Sequence, residues 1–142
     1  MTQRELEDLT VEDCYALVAG QQVGRLVYLD DLGPLAVPVN YVLAGKDVIF
    51  RSEANAHLAA ATQPFVSFEV DHVSQDDHSG WSVLLRGKLE MVDIDDAAAL
   101  IHSMEGAVPA PWAAAVHNTW LRLVPSIVTG RRLGQTRVLP VF

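Results

Sequence analysis

The longest stretch of alternating apolar and polar residues runs over residues 78–93, HSGWSVLLRGKLEMVD. Trp81, Val83, Leu85, Gly87, Leu89 and Met91 fall on one face. Ser82, Leu84, Arg86, Lys88, Glu90 and Val92 fall on the other. A period of two with one apolar face predicts a half-buried antiparallel strand. It exceeds the usual strand of about 5–6 residues, and long curved strands close barrels. Gly87 is the place for it to bend. Ser79 and Gly80 supply a turn that sets Trp81 at its start.

Two periods alternate along the rest of the chain. Residues 1–9 are polar and read as an arm or frayed lead-in. Thr10 is a plausible N-cap, and Val11, Cys14, Tyr15 and Val18 recur at helical spacing ahead of Gly20. Residues 23–29 alternate as a strand, and Asp30, Asp31, Leu32 and Gly33 read as a hairpin turn. Residues 34–44 form the return strand, interrupted by Pro38, which suggests an edge, a bulge or a strand opened for a ligand. After a turn at Gly45, Lys46 and Asp47 come a third strand (48–52), an alanine-rich helix (54–61) and a fourth strand (65–71). An acidic loop over 71–80 leads into the long strand. Residues 95–105 place Ala97, Leu100, Ile101 and Met104 on one helical face. Residues 106–111 break that helix, 112–117 have no clear period, and 119–124 read as the last strand. Pro125 interrupts it, and 128–132 lead into an undefined tail. About six strands in hairpin order with two or three short helices predict a mainly β fold, a closed or nearly closed antiparallel barrel with peripheral helices.

Composition narrows the class. The chain has 142 residues, half of them hydrophobic, which suits a single domain over 1–142 with a sizeable core. A net charge of −8 argues against nucleic acid or an anionic membrane as the main partner. Cys14 is the only cysteine, so no intrachain disulfide forms and a reducing cytoplasm is expected. The first residues lack an apolar signal core, and no apolar run reaches membrane-spanning length.

Candidate chemistry is sparse. There is no Walker or dinucleotide glycine loop and no GxSxG elbow. His57, His72, His78, His102 and His117 are scattered. Asp71-His72 and Asp76-Asp77-His78 crowd one loop, which reads as a solvated acidic turn rather than a metal site. Phe50-Arg51-Ser52 is more informative. An arginine and a hydroxyl at a strand end, with helix N–H groups close by, suit a phosphate; the plain alternative is a surface arginine and an N-cap serine. Trp81 and Trp120 suit the flank of a planar ligand, although tryptophans more often serve core or interface.

Five segments in order, VGRLVYL (23–29), PLAVPVNYVLAGKDVIFRS (34–52), VSFEVD (66–71), GWSVLLRG (80–87) and VTGRR (128–132), resemble the pyridoxamine 5′-phosphate oxidase-like flavoproteins. The likeness is greatest to their nitroimidazole reductase-like branch. It implies a six-stranded antiparallel split β-barrel that binds FMN and forms a homodimer with flavin sites at the interface. It further implies that Arg51 and Ser52 meet the flavin phosphate. Val39, Asn40 and Tyr41 would lie by the ring and offer backbone hydrogen bonds. Trp81 and Ser82 would close the site, with Arg131 a lesser contributor. Relatives carry a lysine shortly after the FRS-type stretch; here His57-Leu58 occupies that place. The implied function is a flavin-dependent oxidoreductase acting on a small molecule. The alternatives are a non-catalytic protein that stores or senses flavin or haem, and a deazaflavin-dependent reductase. No catalytic residue is named, and pyridoxamine phosphate is not favoured as substrate, because a fold family does not fix a reaction.

Overall fold

The computed structural model describes residues 4–53, 58–92 and 118–135. Along the chain come β1 (Arg4–Asp8), α1 (Val11–Ala19), β2 (Val23–Asp30), β3 (Gly33–Ala44), β4 (Asp47–Glu53), α2 (Leu58–Ala61), β5 (Val66–Ser74), β6 (Ser79–Val92) and β7 (Asn118–Gln135). All the strand pairs are antiparallel, in the order β1-β7-β4-β3-β2-β5-β6, and β6 also pairs with β7. That last pairing closes six strands into a ring, with β1 added to β7 outside it. The helix predicted at 95–105 and the stretch at 112–117 lie outside the described residues.

Alternation places the core. Leu26, Phe50, Phe68, Val83, Leu85, Leu89, Leu121 and Leu123 point into the ring and are fully buried. Phe68 meets Tyr41 edge-on at 5.2 Å and stacks against Phe50 at 5.9 Å. Each such side chain taken from water is worth roughly 1.5–3 kcal/mol. Helix α1 covers part of this core: Thr10 caps it through Asp13 N–H at 3.1 Å, and Cys14 and Val18 are buried. The Tyr41 hydroxyl donates to the Val18 carbonyl and so ties the helix to β3.

Gly87 sits where the backbone of β7 comes close to β6. The β6–β7 register shifts between Arg86 and Gly87, because Arg86 pairs with Ile127 and Gly87 with Pro125, leaving Ser126 over as a bulge. A Cβ on Gly87 would lie 1.9 Å from the Val124 carbonyl oxygen.

Four expectations are corrected. Residues 4–8 are not a loose arm. They form an edge strand laddered to β7, with Leu6 opposite Leu133 and Glu7 and Asp8 in register with Arg132 and Arg131. Pro38 does not interrupt β3, which runs unbroken from Gly33 to Ala44. Along 33–40 this strand is laddered to β2 alone among the described residues, and proline is tolerated on such an edge. The acidic loop is shorter than expected: β5 continues to Ser74, and Ser74 pairs with Ser79 across a tight tip. There Asp77 Oδ1 accepts from Ser79 N–H at 3.2 Å and from its hydroxyl at 2.6 Å. Finally, β7 does not stop at Pro125. The bulge absorbs the proline, and 128–132 continue as strand along β6.

Candidate functional site

Among the described residues, β3 and β4 part at one end of their ladder. Their ladder covers only Tyr41–Phe50, Val42–Ile49, Leu43–Val48 and Ala44–Asp47. The next position would join Asn40 to Arg51, and there the strands part. Beyond that point β4 keeps its other neighbour, with Arg51, Ser52 and Glu53 paired to Trp120, Thr119 and Asn118 of β7. This leaves a split with Asn40 on one lip and Arg51 on the other. Asn40 shares the outer face with Arg25, whereas Val39 and Tyr41 turn inward and are buried. The Tyr41 N–H already donates to the Gln22 carbonyl at 3.1 Å, and burial pushes its phenol well above its ordinary range.

Arg51 is held in place by an aromatic ring. Its guanidinium lies 4.6 Å from the centroid of Trp120. Trp120 is itself 9% exposed and packs with Ile49, Val42, Ala44 and Val92 in a second apolar cluster on the outer face. Trp120 thus serves as a packed core residue as well as the ring beneath Arg51. His57 lies outside the described residues, and of Ser52 only the backbone pairing is described.

The remaining predicted residues gather elsewhere. Ser82 pairs with Asp71 on one side and Arg131 on the other, and Trp81 precedes it. Together with the apolar Leu6, Val73 and Leu133 they line a groove of about 740 Å³. That volume lies in the range of small-molecule sites. Trp81 is half-buried and also packs on the core. Arg51 pairs with Trp120, and Arg131 stands eleven residues further along β7, roughly 36 Å of strand. Trp81, Ser82 and Arg131 thus share the groove, while Asn40 and Arg51 stand just past one end of the β3–β4 ladder.

Two features of this surface escaped the sequence reading. Leu6 belongs to a segment taken for an arm. Arg25, Glu69 and Asp71 meet on the outer face beside the groove, with Arg25 Nη1 3.3 Å from each carboxylate. The polar phases of 23–29 and 65–71 were the available signal, but only pairing β2 with β5 puts them opposite. Cys14 offers no nucleophile, since burial pushes its thiol up. Among the described residues no three His, Cys, Asp or Glu side chains converge as a metal site, and no helix is long and apolar enough to cross a membrane.

A family model described as pyridoxamine 5′-phosphate oxidase matches residues 10–132. The chain belongs to the pyridoxamine 5′-phosphate oxidase family. Within that family's fold it is similar to the FAD binding protein from Mycobacterium smegmatis, at 29% identity and a TM-score of 0.74, over 90% of this chain and 98% of that one. It is also similar to a structure assigned to 5-nitroimidazole antibiotic resistance in Bacteroides thetaiotaomicron, at 16% identity and a TM-score of 0.72, over 95% and 92% of the two chains. At that identity the likeness is one of fold. In sequence it is 28% identical over 140 residues to an uncharacterized protein of Mycobacterium tuberculosis, spanning 92% of this chain and 87% of the relative. The family's split barrel is the architecture found here: a ring of antiparallel strands in which β3 and β4 are joined by a short ladder.

Proposed function

We propose that this chain binds a flavin, FMN in the first instance, and serves as a flavin-dependent oxidoreductase for a small molecule. The observation that carries the reading is the split with Asn40 and Arg51 at its lips, in a chain 29% identical to an FAD-binding protein over nearly all of that protein's length. The donor set fits the group. Arg51 is stacked on Trp120, which leaves its N–H edge available for a phosphate. Asn40 and the unladdered edge of β3 present amide groups of the kind that meet a flavin ring's rim. FMN and FAD share the phosphate that Arg51 would meet. A bound flavin supplies electron and hydride transfer; the protein's part is to hold the phosphate, orient the ring and keep water from it.

The proposal includes a homodimer with shared sites. Its support is the eleven-residue length of β7 between Trp120, the partner of Arg51, and Arg131. A twofold partner lets Arg51 of one copy share a site with Trp81, Ser82 and Arg131 of the other. Freshly purified protein should show flavin absorbance, and the flavin released on denaturation identifies FMN or FAD by chromatography. No flavin colour, together with no binding of either form at micromolar concentration, would reject the reading. Sedimentation of a flavin-loaded monomer would reject the shared site while leaving flavin binding intact. Reduction of the bound flavin by nicotinamide nucleotides separates an oxidoreductase from a storage protein.

A further inference from the structure

The seam between β2 and β5 is the shortest ladder in the ring among the described residues: Arg25–Glu69, Leu26–Phe68 and Val27–Ser67. Across its last pair Arg25 Nη1 reaches Glu69 Oε1 at 3.3 Å and Asp71 Oδ2 at 3.3 Å. Asp71 lies past the ladder's end, on the part of β5 that runs on with β6 to form the groove. The guanidinium therefore holds both the seam and the base of the arm that carries Trp81 and Ser82.

Register defines the surroundings. Leu84 lies opposite Glu69 on β6, and Thr129 follows on β7. Ser67 and Arg86 share the same face on one side, Ser82 and Arg131 on the other, and Pro38 of β3 lies beyond Arg25. Among the described residues the charged groups facing Glu69 are thus Arg25, Asp71, Arg86 and Arg131. Two ionised carboxylates on one guanidinium nitrogen leave a net negative charge partly removed from water. A single proton between them removes the repulsion and adds a hydrogen bond.

We propose that Arg25, Glu69 and Asp71 form a proton-controlled latch on the β2–β5 seam, closed when the carboxyl pair holds one proton and loosened when it holds none. The energetics agree in direction. Burial, then the hydrogen bond and charge of Asp71, push Glu69 up to about 7 against the pull of Arg25. Loosening releases β5 from β2 beside the groove, while Trp81 and Ser82 stay laddered to β7. The latch depends on no ligand, so it stands or falls apart from the flavin reading.

Hydrogen exchange on the full-length chain at pH 6, 7 and 8, with rates corrected for intrinsic exchange, tests it. A proton held at about 7 in the closed form and at the ordinary 4.5 in the open form raises the seam's opening constant about tenfold from pH 6 to pH 8. Amides over 25–27 and 67–71 should show that rise, and should open more readily than those of the β6–β7 ladder. Glu69→Gln should flatten the dependence and Asp71→Asn, which leaves the burial of Glu69 in place, should reduce it, and if one variant does not fold the other carries the test. A wild-type seam with no pH-dependent opening overturns the latch. So does a slope that survives in Glu69→Gln or is undiminished in Asp71→Asn, or seam amides that exchange only together with the β6–β7 ladder.

Discussion

Replacing Arg51 by alanine separates ligand binding from fold support. In the native protein the guanidinium sits 4.6 Å from the Trp120 centroid, half-buried. Losing that contact should cost about 0.5–1 kcal/mol of stability, the value of a cation–π contact near the surface. Losing a charge-assisted hydrogen bond to a flavin phosphate should cost a further 1.5–3 kcal/mol, roughly, of binding. That corresponds to about ten- to hundred-fold weaker affinity. The assay is quenching of flavin fluorescence, with FMN and riboflavin titrated against native and Arg51→Ala protein, and urea unfolding of the ligand-free forms alongside. FMN should lose the full factor and riboflavin, which lacks the phosphate, almost none. Arg51→Lys should fall between, since lysine keeps the charge and loses the planar fork. Equal losses for FMN and riboflavin would show that Arg51 acts only through Trp120 and the local fold.

Other outcomes follow from the packing. Gly87→Ala puts a methyl against the Val124 carbonyl, with backbone on both sides of the clash, so urea unfolding should show a loss of more than about 3 kcal/mol. Tyr41→Phe leaves the Val18 carbonyl without its hydroxyl partner and should cost about 1–2 kcal/mol by the same measurement, with the flavin site unmoved. Glu69→Gln should change the pH dependence of stability. The native carboxyl holds its proton to about 7 while the unfolded chain releases it near 4.5, so native stability should fall as pH rises through that window. After allowance for solvent screening the fall should be about 1–2 kcal/mol, and the glutamine variant should lack it; a variant with the native slope would show that another group titrates there.

Much of the ring was legible because local patterns and global fold agree. Residues 23–29, 48–52 and 78–93 alternate cleanly, and each became a strand within a residue or two of its expected bounds. The N-cap at Thr10 and the helix ahead of Gly20 were equally local, since a hydroxyl three residues from an N–H needs no distant partner. The residue types of the candidate site were visible too, Arg51 through its place at a strand end and Trp81 through its place at a strand start.

Pairing was not legible where the segment itself carries no period. Residues 4–8 hold one apolar side chain, so only the ladder to β7 makes them a strand. Pro125 reads as a stop, yet a one-residue bulge opposite a glycine lets β7 pass, and that compensation sits on another strand. The grouping of the site was likewise a tertiary decision. Sequence order puts Asn40 near Arg51, but the ring's topology decides that they flank the split. It also decides that Arg131 joins Trp81 and Ser82 at the far end of β7. Local chemistry determined which residues could form strands, caps and an anion contact. The split, the groove and the Arg25–Glu69–Asp71 cluster exist only once the strands have chosen neighbours, because each depends on side chains tens of residues apart sharing one face of a closed sheet.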